Sequence, residues 1–337
     1  MSGGTGSAAT RPEVSVVIPC LNEEANAQAI YEAVKAELVK HAASHEIIFI
    51  DNGSQDRTRS ILRELCDDDP DLRAIFNTRN FGQMRSPTYA IYQAEGAAVI
   101  AMCADFQDPP ALIGPFIERW RSGAQIILGV RRSERTTPLV GGLRRLGYHF
   151  LRRNADYPIV PDATGFGLFD RHVVDVLADW DEPEPFFRGM LIETGFRLAL
   201  ISYDRPQRAG GETKNNIATL LDFATSGLAG SSKGLLRKPI VWSFGGAFVT
   251  LLAVAGAVVS ASLGGPGWPL LLIAIQIGLF SVLFLFLGLI GEQVRVISER
   301  TRNVPLVLEA ERLNFPSHRR VAASRVRVRS RGMDAAQ

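Results

Sequence analysis

Apolar runs and stretches of helical period alternate through the N-terminal part of the chain. Val14 to Ile18 reads as a short β-branched strand stopped by Pro19, and Asn22-Glu23-Glu24 leads into a helix in which Ile30, Val34 and Leu38 line one face. Ile47 to Ile50 is the next strand, ending at Asp51-Asn52-Gly53-Ser54. The pattern repeats: Asp56 caps a helix carrying Ile61, Leu62 and Leu65, Ala74 to Phe76 is a strand, and a helical stretch follows Asn80-Phe81-Gly82 toward Ala94. The run from Val99 predicts a buried central strand that turns polar at Asp105, Gln107 and Asp108 and closes on Pro109 and Pro110. A helix holding Leu112, Phe116, Ile117 and Trp120 and a strand from Ile126 to Val130 come next. Strand and helix in alternation predict an α/β fold with a doubly wound sheet.

Seven arginines lie between Arg131 and Asp162, the first of them Arg131. Thr164-Gly165-Phe166-Gly167-Leu168-Phe169 predicts a strand, followed by helices near Val173–Leu177 and Phe186–Thr194 and a last strand from Leu198 to Ser202. Beyond it lies a basic, glycine-rich loop from Arg205 to Lys214 that includes Arg208 and Thr213. Ile217, Leu220, Leu221, Ala224 and Leu228 then recur at helical spacing, which predicts an amphipathic juxtamembrane helix.

From Pro239 to Gly291 there is no Asp, Glu, Lys or Arg. Ile240–Leu263 and Leu270–Gly291 are each long enough to cross a bilayer and are separated by a Gly/Pro-rich turn, so two transmembrane helices are expected. Lys233, Arg237 and Lys238 precede them and Arg295, Arg300 and Arg302 follow, which puts both flanks in the cytoplasm by the positive-inside rule. Residues 1–12 form a loose terminus without the apolar core of a signal peptide. The expected organisation is a cytosolic domain over 13–214, juxtamembrane helices over 215–238, two spans over 239–291, and a cytoplasmic helix with an Arg-rich tail over 292–337. The tail holds seven arginines and no acid from Arg312 to Arg331, which suits anionic lipid headgroups and equally a solubilising tail.

With 337 residues, 46% of them hydrophobic, the chain can bury a sizeable core and still supply a second module. The net charge of +2 says little, and no nucleic-acid partner is expected. Cys20, Cys66 and Cys103 form no C-x-x-C pair, which fits a reducing compartment. Neither G-x-G-x-x-G nor a P-loop occurs, which weighs against a dinucleotide oxidoreductase and a P-loop ATPase. Asp105 and Gln107 would point the same way if the chain stays extended, and hard oxygens at a strand end suit Mg²⁺ or Mn²⁺ shared with substrate phosphates. An acidic turn after a core strand accounts for the same residues.

The segments V-V-I-P-C-L-N-E-E, I-D-N-G-S-Q-D-R-T, R-N-F-G, A-D-F-Q-D-P-P, G-V-R-R, R-P-Q-R-A-G-G-E-T-K and G-L-I-G-E-Q-V, in this order and spacing, resemble the family 2 glycosyltransferases. Within that family they resemble the polyprenyl-phosphate glycosyltransferases with a C-terminal two-helix anchor. The resemblance implies a GT-A fold and inverting, metal-dependent transfer of a sugar from a nucleotide diphosphate to polyprenyl phosphate at the cytoplasmic membrane face. It implies that Pro19, Glu23 and Asp51 line the nucleoside pocket and that Asp105 and Gln107 hold Mg²⁺ or Mn²⁺ on the diphosphate. It further implies that Arg131 meets a donor or acceptor phosphate, and that Arg205, Arg208, Thr213 and Lys214 cradle the lipid phosphate. Some members self-associate, so a homo-oligomer is among the expected partners.

Four positions depart from the family pattern, which has Asp at Asn52, Cys103 and Gly165 and Arg at Gly167. Cys103 is read as a core residue, because a thiol is a poor Mg²⁺ ligand. The two glycines are read as widening the space beside the sugar. Two other functions remain in view: a nucleotide-sugar-binding membrane protein with little catalysis, and a processive polysaccharide synthase. The second is disfavoured by the lack of Q-x-x-R-W and by only two expected spans.

Overall fold

The structure, a computed structural model, describes residues 11–132, 160, 162–180, 182–204, 206, 262, 268–302 and 304–315. Its centre is β1 (Val14–Cys20), a β-branched run that pairs in parallel with β2 (His45–Asp51) on one side and β4 (Ala98–Ala101) on the other. β2 is followed in parallel by β3 (Leu72–Asn77). β5 (Ile126–Arg131), β6 (Ala163–Asp170), β7 (Leu198–Tyr203) and β8 (Glu309–Leu313) complete an eight-stranded sheet in the order β7-β5-β6-β4-β1-β2-β3-β8. Only β6 and β8 run against the rest. Six strands therefore finish at one edge of the sheet, and β6 and β8 begin there.

Alternation along each strand feeds two cores. Val14, Val16 and Ile18 of β1 pack with Phe49, Phe76 and Ile100 against α1 (Ala27–His41), α2 (Thr58–Asp68) and α4 (Ile113–Arg121). Val17, Ile48, Ile50 and Val99 point the other way, toward α3 (Gly82–Gln93), α5 (Arg171–Ala178) and α6 (Phe187–Glu193). Helices thus cover both faces, as the alternation of strands and helices predicts.

The central strand is shorter than its apolar run suggests. β4 stops at Ala101, and Asp105 and Gln107 sit in a turn in which Phe106 has a φ of 59°. The extended geometry expected for these two residues is therefore not present.

The chain expected to be a helix and tail after the membrane segment does something further. α7 (Trp268–Arg302) is followed by β8, which pairs antiparallel with β3 and enters the sheet with Glu309 opposite Asn77, at the edge where the parallel strands end. Asn314 then donates to the carbonyls of Cys66, Asp69 and Leu72 at 2.7, 3.2 and 2.9 Å. Arg312 reaches the Tyr89 hydroxyl and Gln93, and Arg63 pairs with Glu311 at 2.6 Å.

Within α7, Gly278–Arg295 is long and apolar enough to cross a membrane, with a mean hydropathy of 1.5. Only 7% of that window is buried, whereas a core helix would be covered. It overlaps the second expected span. The first expected span, Ile240–Leu263, and the juxtamembrane segment lie outside the described residues.

Candidate active site

The candidate site lies where β1, β2, β4, β5 and β7 end, the side of an open α/β sheet on which ligands bind. Pro19 stands near the end of β1 and Asp51 ends β2, with Cys20 paired in register to Asp51. The loops that follow these two strands are laced together. Asn22 takes a left-handed φ of 54°, its amide donates to Ser54 Oγ at 2.8 Å, and its side chain accepts from the Gln55 amide at 2.8 Å. The Glu23 amide donates to Thr58 Oγ1 at 2.9 Å, and Glu24 accepts from the Arg57 amide at 2.9 Å. Glu23 also accepts from Asn26 Nδ2 at 2.7 Å.

Asp51 is completely enclosed. It accepts from the Gly53 and Ser54 amides at 3.2 Å and from Arg59 Nε at 2.6 Å, and Arg59 also donates to the Asn77 carbonyl at 2.6 Å. In this arrangement Asp51 shapes the turn beside the expected nucleoside pocket. Gly53 has a φ of 88°, and a Cβ there would come within 2.9 Å of the Arg79 carbonyl carbon, so this turn rests directly on the Arg79–Gly82 loop.

Asn52, one of the four departures, ties those loops from inside. Its Nδ2 donates to Asn80 Oδ1 at 2.8 Å and to the Gly82 carbonyl at 3.2 Å. Its Oδ1 accepts from the Phe81 amide at 2.9 Å and from Asn77 Nδ2 at 3.2 Å. A carboxylate would meet two acceptors with no proton to offer, which accounts for an amide here.

The loop after β4 brings Asp105 and Gln107 together by a turn. The Gln107 amide donates to Asp105 Oδ1 at 3.1 Å, and both side chains are half-buried. Among the described residues no cluster of three or more His, Cys, Asp or Glu could hold a metal ion. One carboxylate and one amide oxygen nevertheless fit Mg²⁺ or Mn²⁺, which usually take one or two carboxylates and complete their shell with substrate phosphate and water.

Cys103 is exposed, which corrects its reading as a core residue: β4 has already ended, and the residue sits on the loop. Asp108 turns inward instead. It accepts from the Cys103 amide at 2.9 Å and from the Tyr203 hydroxyl at 3.1 Å. Burial pushes its carboxyl above the ordinary range, and hydrogen bonds from Cys103 and Tyr203 pull part of the way back.

Arg131 ends β5 in register with Tyr203 at the end of β7. Its guanidinium lies beside the Tyr203 hydroxyl, and its Nε is buried without a hydrogen-bond partner among the described residues. A buried guanidinium nitrogen with nothing to donate to suits an anionic ligand. Burial, then Asp108, raises the Tyr203 hydroxyl above its usual pKa, while Thr164 and Arg131 oppose that.

The two glycines differ. Gly165 has a φ of 94° and open space where a Cβ would stand, whereas a Cβ on Gly167 would fall 2.2 Å from the Ile127 carbonyl oxygen. Gly167 therefore serves the close approach of β6 to β5 and does not widen the site, contrary to the sequence expectation. Arg205, Arg208, Thr213 and Lys214 lie outside the described residues. Asn52, Asp108 and Tyr203 were missed as site residues: Asn52 and Asp108 stand inside quoted segments and Asp108 was read as part of the polar turn, whereas Tyr203 only precedes the basic segment that starts at Arg205.

The family model described as Glycosyl transferase family 2 matches residues 15–177. An uncharacterized glycosyltransferase of Synechocystis sp. is 31% identical over 306 residues, covering 89% of this chain and 95% of its own length. A bactoprenol glucosyl transferase of Shigella phage SfII is 32% identical over 303 residues, covering 87% and 96%. Among solved structures, glucosyl-3-phosphoglycerate synthase from Mycobacterium tuberculosis in complex with phosphoglyceric acid has a TM-score of 0.47 at 20% identity, over 65% of this chain and 78% of that one. Relatives of this identity, matched over nearly their whole length, show that the chain belongs to glycosyl transferase family 2.

Proposed function

We propose that this glycosyltransferase moves a sugar, with inversion, from a nucleotide diphosphate sugar to polyprenyl phosphate, its catalytic domain on the cytoplasmic face of a membrane that its C-terminal part spans. The observation that carries the reading is the side of the sheet where the strands end: the Asp105–Gln107 turn follows β4 there and Arg131 ends β5, its Nε buried without a hydrogen-bond partner among the described residues. The phage relative's name, bactoprenol glucosyl transferase, supports a polyprenyl acceptor. The exposed apolar length of α7 supports the membrane anchor.

The nucleoside would rest on the laced loops after β1 and β2, near Pro19, Glu23 and Asp51. Asp105 and Gln107 would hold Mg²⁺ or Mn²⁺ on the diphosphate, and the ion would offset charge on the departing nucleotide. Arg131 would donate to a phosphate oxygen. The acceptor phosphate is largely ionised near neutral pH, since its second pKa is about 6, so its oxygen can attack the anomeric carbon without a strong base. Arg205, Arg208, Thr213 and Lys214 would steady that phosphate, the arginines through paired N–H donors and the lysine as a point charge.

The test is transfer of labelled sugar from a panel of nucleotide donors to polyprenyl phosphate by the purified full chain in detergent. Turnover with one donor, abolished by a chelator and restored by Mn²⁺ or Mg²⁺, is the expected outcome. Nucleotide binding without turnover on any donor would favour a binding protein instead.

A further inference from the structure

The loop that carries Asp105 and Gln107 is closed by neither of them. Asp108 closes it, and Asp108 is only 4% exposed. One carboxylate oxygen takes the Cys103 amide at the start of the loop, and the other takes the Tyr203 hydroxyl from a different strand. Tyr203 is held in turn: its ring lies edge-on to Phe166 at 5.6 Å, and Phe166 lies edge-on to Phe116 at 4.8 Å. The Arg132 amide donates to the Tyr203 carbonyl at 2.9 Å, and Thr164 Oγ1 is 3.4 Å from its hydroxyl. Along the sequence Tyr203 stands just before the basic segment that begins at Arg205.

We propose that the Asp108–Tyr203 hydrogen bond is a positioning device that holds the donor-diphosphate loop in register with Arg131. The inference rests on the transferase reading above and assigns residues which that reading does not use. At 3.1 Å this bond is not short, but a buried carboxylate that loses a partner has no water to replace it, so the bond can still fix the loop. In-line transfer depends on such fixing, because a misplacement of about 1 Å between reacting groups can cost roughly 10²-fold in rate. Tyr203 and Asp108 are positioning residues, since neither is argued to touch the reacting atoms.

Tyr203→Phe removes the hydroxyl and keeps the ring that packs on Phe166. Asp108→Asn keeps an acceptor for the Cys103 amide and offers its own N–H to the Tyr203 oxygen, whereas Asp108→Ala keeps neither bond. Each purified full-length variant is measured for kcat, for binding of a nucleoside diphosphate as a function of Mn²⁺ concentration, and for melting temperature. For Tyr203→Phe and Asp108→Ala, kcat should fall by about 10- to 100-fold and the Mn²⁺ needed for half-maximal nucleotide binding should rise several-fold. Tyr203→Phe should fold and melt somewhat below the wild type, because Asp108 loses one buried partner, and Asp108→Asn should recover most of the kcat and Mn²⁺ loss seen in Asp108→Ala. A Tyr203→Phe protein with wild-type kcat and wild-type Mn²⁺ dependence would overturn the coupling while leaving the transferase reading intact. A wild-type chain that turns over no donor would overturn both.

Discussion

Asn52 shows how far a single side chain sets the geometry of the nucleoside end of the site. It stands in the Asp51–Ser54 turn, yet its four hydrogen bonds reach residues 77, 80, 81 and 82. Replacing it by Asp, the residue of the family pattern, should cost about 1–3 kcal/mol, the penalty for leaving buried polar groups unpaired, measurable by thermal or denaturant unfolding. Gly167→Ala should be worse tolerated than Gly165→Ala. The first drives a Cβ to 2.2 Å from a carbonyl oxygen, while the second only strains a backbone with open space around it. Yield of folded protein and melting temperature check the order. The sequence marks both positions as unusual but not the reason, because the partners of Asn52 and the strand that crowds Gly167 come from remote stretches.

At the level of elements, the parallel strands and their helices were legible because each carries a strong apolar period, as Ile30, Val34 and Leu38 do on α1. β8 was not, since Glu-Ala-Glu-Arg-Leu has no apolar alternation and is half-exposed at the edge of the sheet. What holds it is polar: Glu309 accepts from the Tyr89 hydroxyl at 2.8 Å, Arg85 donates to the Pro305 carbonyl at 2.9 Å, and Asn314 caps three carbonyls. The segment ties the end of α7 to the edge on which the candidate site opens. Asn314→Ala should therefore destabilise the catalytic domain by about 1–3 kcal/mol, leaving three part-buried carbonyls without their donor. An unchanged melting temperature would show that the three Asn314 bonds add nothing to the fold. The loop after β4 was half legible: its acids were visible, but the inward turn of Asp108 depends on Tyr203 of β7, far along the chain.

For the molecule as a whole, carboxylates fix the response to acid. Burial alone would raise the Glu13, Asp56 and Asp69 carboxyls. Hydrogen bonds from the Ala43 amide and Arg121, from Thr58, and from Lys35 and Tyr31 more than reverse this, and Arg63 lowers Glu311. With folded values below the unfolded ones, the unfolded chain binds more protons in between. Stability is present above the ordinary carboxylate range of about 4 and is lost as pH falls through the lowered values. Melting temperatures of the full chain in detergent should accordingly be level from neutral pH to mildly acidic pH and decline below it.

If the strand ends that hold Asp105 carry out sugar transfer to a lipid phosphate, wild type and Asp105→Ala must differ in that reaction. Both are assayed for transfer of labelled sugar to polyprenyl phosphate and for binding of the same nucleoside diphosphate. Turnover by the wild type is expected to fall by at least about 10²-fold in Asp105→Ala, beside a melting temperature that stays put. Equal turnover by the two proteins would contradict that role for these strand ends.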